Sequence, residues 1–162
     1  MNLKKLTVAG VFCGVLAVLS QFALPLPGGV PLTLQTFGVA LCGFCLGWRY
    51  GGATVAVYLL LGAVGLPVYS SFGGGIGWLL GPSGGFLWGF LPLAVACGSK
   101  NRPIALGGLA ACHLLGVIQL AAVTGNSLWQ AFLVGSLPYL LKDVLTVLAA
   151  RWLAGRLPQK FF

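Results

Sequence analysis

Long apolar stretches follow one another along this chain, and almost every charged residue lies between them. Each stretch is close to the roughly 20 residues that a helix needs to cross a bilayer. In lipid every backbone polar group needs an internal partner, so such stretches fold as helices. The sequence therefore predicts an all-α membrane protein, a single integral-membrane domain over residues 1–162. The six predicted transmembrane helices cover about residues 5–24, 32–48, 50–66, 84–99, 103–123 and 136–155.

Composition supports this fold class and argues against a nucleic-acid-binding protein. The chain is 59% hydrophobic and 6% charged, whereas soluble domains carry about a quarter charged residues. Its formal net charge is +8, but the basic residues occur in ones and twos rather than on one polar face. We therefore expect no nucleic-acid partner and interpret the basic residues as topology signals.

The basic residues sort to one side of the predicted bundle. Three of the five connections, those after the first, third and fifth stretches, carry no charge. Because basic residues concentrate on the cytoplasmic side of membrane proteins, both termini are predicted to be cytoplasmic. The residues that produce this pattern are Lys4, Lys5, Arg49, Lys100, Arg102, Arg151, Arg156 and Lys160.

The five cysteines all lie within apolar stretches. Cys42 and Cys45 have the C-x-x-C spacing of a metal or redox site, but neither a second pair nor a histidine partner accompanies them. We interpret them as small packing residues and expect neither a metal nor a cofactor. The sequence also contains no nucleotide-binding motif and no nucleophile–base pair, so it does not predict an enzyme.

Asp143 is the only acidic residue of the chain, and it lies inside the last apolar stretch beside Lys142. An ionisable group in a membrane costs several kcal/mol unless it is paired or hydrated, so Asp143 predicts a functional site. About seven residues from the outer end of its helix, it would lie roughly 10 Å deep. Adjacent helical residues point about 100° apart, so we expect no simple Lys142–Asp143 pair, although one pocket can receive both. The alternative is that Asp143 only fixes helix packing.

The neighbours of Asp143 on this helix add further candidates. Tyr139 lies one turn before it, and Thr146 lies three residues after it on the same predicted face. Ser136 followed by Pro138 is typical of a helix start, with serine as the cap and proline in the first turn.

The connection at residues 67–83 is too apolar for a solvated loop and is rich in glycine. It predicts a lid-like outer loop over a pocket, with Trp78 and Ser83 as candidate contacts, or a re-entrant hairpin that binds nothing. Gln35, at the start of the second stretch, either caps that helix or faces the pocket. His113 is interpreted as a hydrogen-bonded packing residue, because no second metal ligand accompanies it.

Small residues line the first stretch. Ala9, Cys13 and Ala17 fall on one helix face, with Gly10 and Gly14 on the adjacent face. Such a surface lets another membrane helix approach closely, so it predicts either internal packing or docking of a partner.

Three segments of the chain resemble the BioY family, the biotin-binding S components of energy-coupling factor (ECF) transporters. They are "VPLTLQTFGVALCG" at 30–43, "YLLLGAVGLPVYSSFGGGIGWLLGPSGGFLWGF" at 58–90 and "LPYLLKDVL" at 137–145. The resemblance implies an S-component-like bundle in the plasma membrane of a prokaryote, which captures biotin at the outer face and delivers it inward by toppling. It also implies a transmembrane coupling (T) subunit and two cytoplasmic ATPase (A) subunits as partners, with the ATPases hydrolysing ATP.

The resemblance also implies roles for particular residues. The family pattern on the last helix is an aspartate with a lysine three residues later; Asp143 matches the aspartate, but position 146 is threonine and the lysine lies at 142. Either Lys142 replaces the family lysine at the biotin carboxylate, with Thr146 as an extra donor, or Thr146, loop amides and water bind the carboxylate. Ala9, Cys13 and Ala17 loosely match the small-residue motif by which related S components dock the coupling subunit.

Three other functions stay open on the sequence alone. The chain can be an S component for another small vitamin, a stand-alone gradient-driven vitamin carrier, or a structural membrane subunit that binds no solute.

Overall fold

The computed structural model describes residues 3–26 and 30–158, and within these ranges the chain is mostly helical, as predicted. The basic residue Lys160, which entered the topology prediction, lies outside the described residues. The helices of the described residues are α1 Leu3–Gln21, α2 Gln35–Ala63, α3 Ile76–Leu80, α4 Gly84–Gly98, α5 Arg102–Thr124, α6 Leu128–Gly135 and α7 Leu137–Arg156. A short 3-10 turn, Ser70–Phe72, precedes α3.

A two-stranded antiparallel ribbon, which the sequence did not predict, joins α1 to α2. Its strands are β1 Ala23–Leu24 and β2 Leu32–Thr33, with Ala23 opposite Thr33 and Leu24 opposite Leu32. Two-residue strands are too short to show the alternating pattern by which strands are recognised in a sequence.

Length and composition give three of the described helices, α1, α2 and α5, as candidate membrane spans. Helices α6 and α7, bent by 51° at their junction, make a fourth if the pair is one span, and α4 is a shorter apolar helix of 15 residues.

Helix α2 contains most of the second and third predicted stretches. Gly47, near the end of the second stretch, has a φ of 77° and a ψ of 173°, so the helix is broken there. Glycine adopts this backbone conformation without steric cost.

Helix α4 lies at the centre of the bundle, between α2 and α5, while α1 and α7 pack against α2. Glycines allow the closest of these approaches. A Cβ atom on Gly89 of α4 would lie 2.6 Å from the Cα of Cys112 on α5. Membrane helices have little hydrophobic drive to associate, so close backbone packing of this kind holds them together.

We expect Gly89→Ala to destabilise the protein by about 1–3 kcal/mol, because the added methyl group forces α4 away from α5. The matched control is Gly107→Ala on α5, where an added Cβ meets nothing within 4 Å. There, alanine should be neutral or stabilise the helix by up to about 1 kcal/mol. Thermal unfolding in detergent measures both, and equal midpoints for the two variants would contradict the packing argument.

The face of α1 that carries Ala9, Cys13 and Ala17 turns towards the protein interior rather than towards a possible partner. Ala9 and Cys13 are buried, and Ala17 is half-buried against the core. Gly10 and Gly14 are the exposed small residues, and a Cβ at either would meet nothing within 4 Å. Helix α1 carries large apolar residues on all of its faces, so hydropathy could not indicate which face turns inward.

Candidate ligand-binding site

One pocket collects most of the residues that the sequence indicated. It lies between α2, α4, α5 and α7, with part of the 67–83 connection as a wall, and its volume is about 50 Å³. Of the predicted ligand-binding residues, the lining includes Gln35, Trp78, Ser83, Tyr139, Lys142 and Asp143. The rest of the wall is largely apolar, with Phe86, Leu87 and Phe90 from α4. An apolar cavity with a few polar groups at one place is the usual form of a small-molecule site.

Asp143 lies in this pocket between two donors. Its carboxylate Oδ1 is 2.5 Å from Lys142 Nζ, and its Oδ2 is 3.3 Å from His113 Nε2. The expectation of no direct Lys142–Asp143 pair was therefore wrong. The four-carbon stem of a lysine is flexible, so its ammonium group can turn back along the helix although the Cβ atoms diverge.

The carboxylate still has capacity for a further donor. Although Lys142 Nζ is close to Oδ1, Oδ1 takes part in no hydrogen bond of good geometry among the described residues. The contact is an ion pair rather than a hydrogen bond, because an ion pair requires only that the two charged groups are close, whereas a hydrogen bond also requires suitable angles. A carboxylate has about four lone-pair sites, and His113 and Lys142 do not saturate them.

His113 is the site residue that the sequence interpretation missed. Its side chain is 7% exposed, and its Nδ1 lies 2.8 Å from the Oγ of Ser136. A neutral imidazole that donates its Nε2–H to the carboxylate can accept a hydrogen bond at Nδ1 from the serine hydroxyl. Ser136 then fixes the orientation of the ring. The signal was present in the sequence: a lone buried carboxylate needs donors, and His113 is the chain's only histidine, also inside an apolar stretch.

Ser136 has a different role from the predicted one. It precedes α7 as expected, with Pro138 in the first turn, but its side chain caps no backbone N–H. The hydroxyl binds His113 instead, 23 residues earlier in the chain.

Two pocket residues on α7 hold the segment before α2. Tyr139 Oη donates to the carbonyl of Val30 at 2.5 Å, and Lys142 Nζ donates to the carbonyl of Thr33 at 2.8 Å. The same groups therefore face the pocket and fasten the chain that covers it.

Gln35 faces the pocket rather than only beginning a helix. It is buried, its amide Nε2 donates to Tyr58 Oη at 2.8 Å, and its Oε1 accepts from Thr33 Oγ1 at 3.1 Å. Tyr58 in turn donates to the carbonyl of Val68 at 2.9 Å. This chain of hydrogen bonds positions the Gln35 amide at the pocket wall.

Part of the 67–83 connection lines the pocket, and the segment is a packed wall held by side chains of neighbouring helices. Tyr69 is fully buried. From α1, Ser20 Oγ donates to the carbonyl of Val68 at 2.5 Å and Gln21 Oε1 accepts from the N–H of Phe72 at 2.7 Å. From α5, Gln119 Nε2 donates to the carbonyls of Leu79 and Gly81 at 2.8 and 2.9 Å. These long-range contacts hold the segment against the bundle although it is rich in glycine.

Thr146 lies outside the pocket, contrary to the prediction that it shares the ligand-facing side with Asp143. Its hydroxyl donates to the carbonyl of Asp143 at 3.0 Å. The residue lines a shallow apolar groove on the side of α7 that faces away from the bundle, with Leu141, Leu145 and Ala149. Three residues advance a helix by about 300°, so the two side chains diverge by about 60°, enough to leave a narrow pocket.

Within the described residues, no group of three or more histidine, cysteine or acidic side chains could hold a metal ion. All five cysteines are free and buried, including Cys42 and Cys45.

Comparison with known proteins first shows the fold. The fold matches a solved structure described as the S-component for biotin from an ECF-type ABC transporter, with a TM-score of 0.87 and 24% identity. The match covers 95% of this chain and 90% of the other, so the architecture is that of an ECF S component.

The family follows from the sequence relatives. The BioY family model matches residues 1–161, and the chain belongs to the BioY family. The biotin transporter BioY of Thermotoga maritima is 37% identical, with 96% of each chain covered. The probable biotin transporter BioY of Pyrococcus horikoshii is 35% identical, with 97% of this chain and 98% of the other covered. The relatives are named as transporters, which agrees with the prediction that this membrane protein is not an enzyme, and the resemblance seen in the sequence is confirmed.

Proposed function

We propose that this protein is a biotin-binding S component, which takes up biotin in the pocket around Asp143 and passes it across the membrane with an ECF module. The observation that carries the proposal is the buried Asp143 carboxylate, held by His113 and Lys142 at the polar end of an apolar pocket. Membership of a family whose relatives are named biotin transporters supports the choice of ligand.

The chemistry of the pocket fits the parts of biotin. The ureido ring presents N–H donors, which a carboxylate such as Asp143 accepts. The thioether ring is apolar and suits the face of Trp78 and the phenylalanines of α4. Ser83 can donate to the ureido carbonyl. The valerate carboxylate needs a cation, and Lys142 is the only cationic side chain that lines the pocket within the described residues.

Biotin entry requires the pocket to open. Ligand pockets typically measure about 300–1,000 Å³, whereas this one has about 50 Å³. The segment from Val30 to Thr33 lines the pocket, pairs with β1 through Leu32 and Thr33, and is held by hydrogen bonds from Tyr139 and Lys142 to backbone carbonyls, which would have to break if it moved. A ligand carboxylate that attracts Lys142 Nζ would replace the Thr33 carbonyl and couple binding to this segment.

The membrane arrangement forms part of the same proposal. Six crossings with both termini in the cytoplasm of a prokaryote would place the basic ends of α1 and α7, and Arg49 in the middle of α2, at the inner surface and the pocket towards the outside. A T subunit and two A subunits would supply the coupling and the ATP hydrolysis, with the S component toppling to deliver biotin. Since Ala9 and Cys13 are buried, the T subunit would contact the adjacent Gly10–Gly14 face of α1.

Direct binding tests the proposal. Biotin should bind the purified protein in detergent, and other small vitamins should not compete. A different vitamin that binds in place of biotin would keep the S-component class and replace the ligand. Uptake by the protein alone in liposomes, dependent on a proton gradient, would favour the stand-alone carrier. Absence of binding by every vitamin tested would favour a structural subunit.

His113 should act on affinity through Asp143. We expect His113→Ala to weaken biotin binding by about tenfold, because the carboxylate loses one charge-assisted donor and its fixed orientation. His113→Gln, whose amide can still donate, should recover part of the loss. Calorimetric titration measures both variants, and equal affinities for them would contradict a positioning role.

A further inference from the structure

A second pocket lies at the opposite end of the bundle from the proposed biotin site. Its volume is about 220 Å³, and it is lined by Phe44, Lys100, Arg151, Ala154 and Gly155. Arg151 lies eight residues after Asp143 on α7, which is about 12 Å along the helix axis. The two pockets share no lining residue.

Two cations face this second pocket without an acidic side chain of the protein to balance them. Asp143 is the only acidic residue of the chain, and it already pairs with Lys142 and His113. The guanidinium of Arg151 instead lies 5.8 Å from the ring centre of Phe44 and donates to the carbonyl of Lys100. Cations that no carboxylate side chain among the described residues neutralises form a favourable site for an external anion.

The ring of Phe44 and the backbone of Lys100 hold the Arg151 guanidinium in place. Lys100 has a φ of 60°, uncommon for a residue with a side chain, and its N–H donates to the carbonyl of Cys97 at 3.0 Å. Its carbonyl is held by Arg151. A planar guanidinium fixed on an aromatic face keeps free N–H donors in the fork that suits phosphate oxygens.

The surroundings indicate that the anion belongs to a lipid. Other basic residues at this end of the bundle also lie over aromatic rings, Lys5 over Tyr50 and Arg156 over Trp152. Aromatic and basic side chains together are typical of the interface between hydrocarbon and headgroups. Phe44 and Ala154 give the pocket an apolar floor on which the glycerol part of a lipid can rest.

We infer that this pocket binds the phosphate of an anionic phospholipid headgroup, with Lys100 and Arg151 as its two cationic contacts. Basic pockets between membrane helices bind such headgroups in other membrane proteins. A zwitterionic headgroup would bring its own cation next to these two side chains, so the pocket should favour net negative lipids. The site goes beyond the proposed biotin function and does not depend on it.

Native mass spectrometry of the purified full chain, titrated with phosphatidylglycerol and with phosphatidylcholine, tests this inference. Lys100→Gln should weaken phosphatidylglycerol binding by about tenfold and leave the weaker phosphatidylcholine binding unchanged. The control is Arg156→Gln, because Arg156 is a cation at the same end but lies outside the pocket; its effect should stay within about twofold. Thermal unfolding without added lipid verifies that each variant is folded.

Three results would overturn the inference. Equal weakening by Lys100→Gln and Arg156→Gln would mean that lipid binding follows total charge rather than the pocket. Equal affinity of the native protein for the two lipids would remove the selectivity. Displacement of phosphatidylglycerol by an equal concentration of inorganic phosphate would make the ligand a free anion instead of a lipid.

Discussion

Asp143→Asn should lower the affinity for biotin by about a hundredfold or more. The amide loses the negative charge that accepts the ureido N–H groups, and hydrogen bonds to charged groups contribute about 1.5–3 kcal/mol each. In the native chain the half-buried Lys142 ammonium lies 2.5 Å from Oδ1 of Asp143. The substitution leaves this ammonium beside a neutral amide. Removing one partner of such a pair costs more than the pair contributes. Equilibrium binding in detergent measures the change.

The matched control for this variant is Thr146→Val. Thr146 lies on the same helix, three residues later, with its hydroxyl bonded to the Asp143 carbonyl and its side chain outside the pocket. Affinity should stay within about twofold, because a neutral hydroxyl bonded to its own helix contributes little. Asp143→Asn that binds biotin as tightly as Thr146→Val would restrict Asp143 to helix packing.

Lys142→Met should weaken biotin binding by about tenfold to a hundredfold, because the ligand carboxylate loses its charge-assisted donor. Methionine keeps most of the apolar stem, so packing along α7 is largely retained. The sharper measurement compares biotin with its neutral amide. Lys142→Met should affect the acid far more than the amide, whereas Asp143→Asn should weaken both to a similar extent.

This comparison also decides between the two hypotheses for the carboxylate. An equal effect of Lys142→Met on acid and amide would mean that the lysine serves only Asp143 and the Thr33 carbonyl. Loop amides and water would then bind the ligand carboxylate. Thr146 is a poor candidate for that role, since it lies outside the pocket.

Local sequence was a good guide wherever a property depends on composition or short spacing. Apolar length predicted the long helices, and the Gly-rich connection over the pocket was recognised before its contacts were known. Asp143 stood out because a lone carboxylate in an apolar stretch requires a partner. Helix α6 precedes the last stretch, and Ser127 and Gln130 make a reciprocal capping box at its start.

Contacts between distant residues were not predictable in the same way. Nothing in the sequence near His113 points to Asp143, 30 residues later, or to the Ser136 hydroxyl. The 67–83 connection was interpreted as a lid-like outer loop or a re-entrant hairpin. Its order comes from Ser20, Gln21 and Gln119 on other helices.

Composition and the spacing of charges were sufficient to indicate a mostly helical membrane protein and a polar site at Asp143, and the resemblance of three sequence segments indicated its family. The tertiary structure decided which helix faces turn inward, that His113 completes the carboxylate site, and that Thr146 is excluded from it. The physical reason is that hydrophobic length and the cost of a buried charge act residue by residue. Helix rotation depends on how closely each backbone can approach its neighbours, and in this bundle glycines such as Gly89 set that distance.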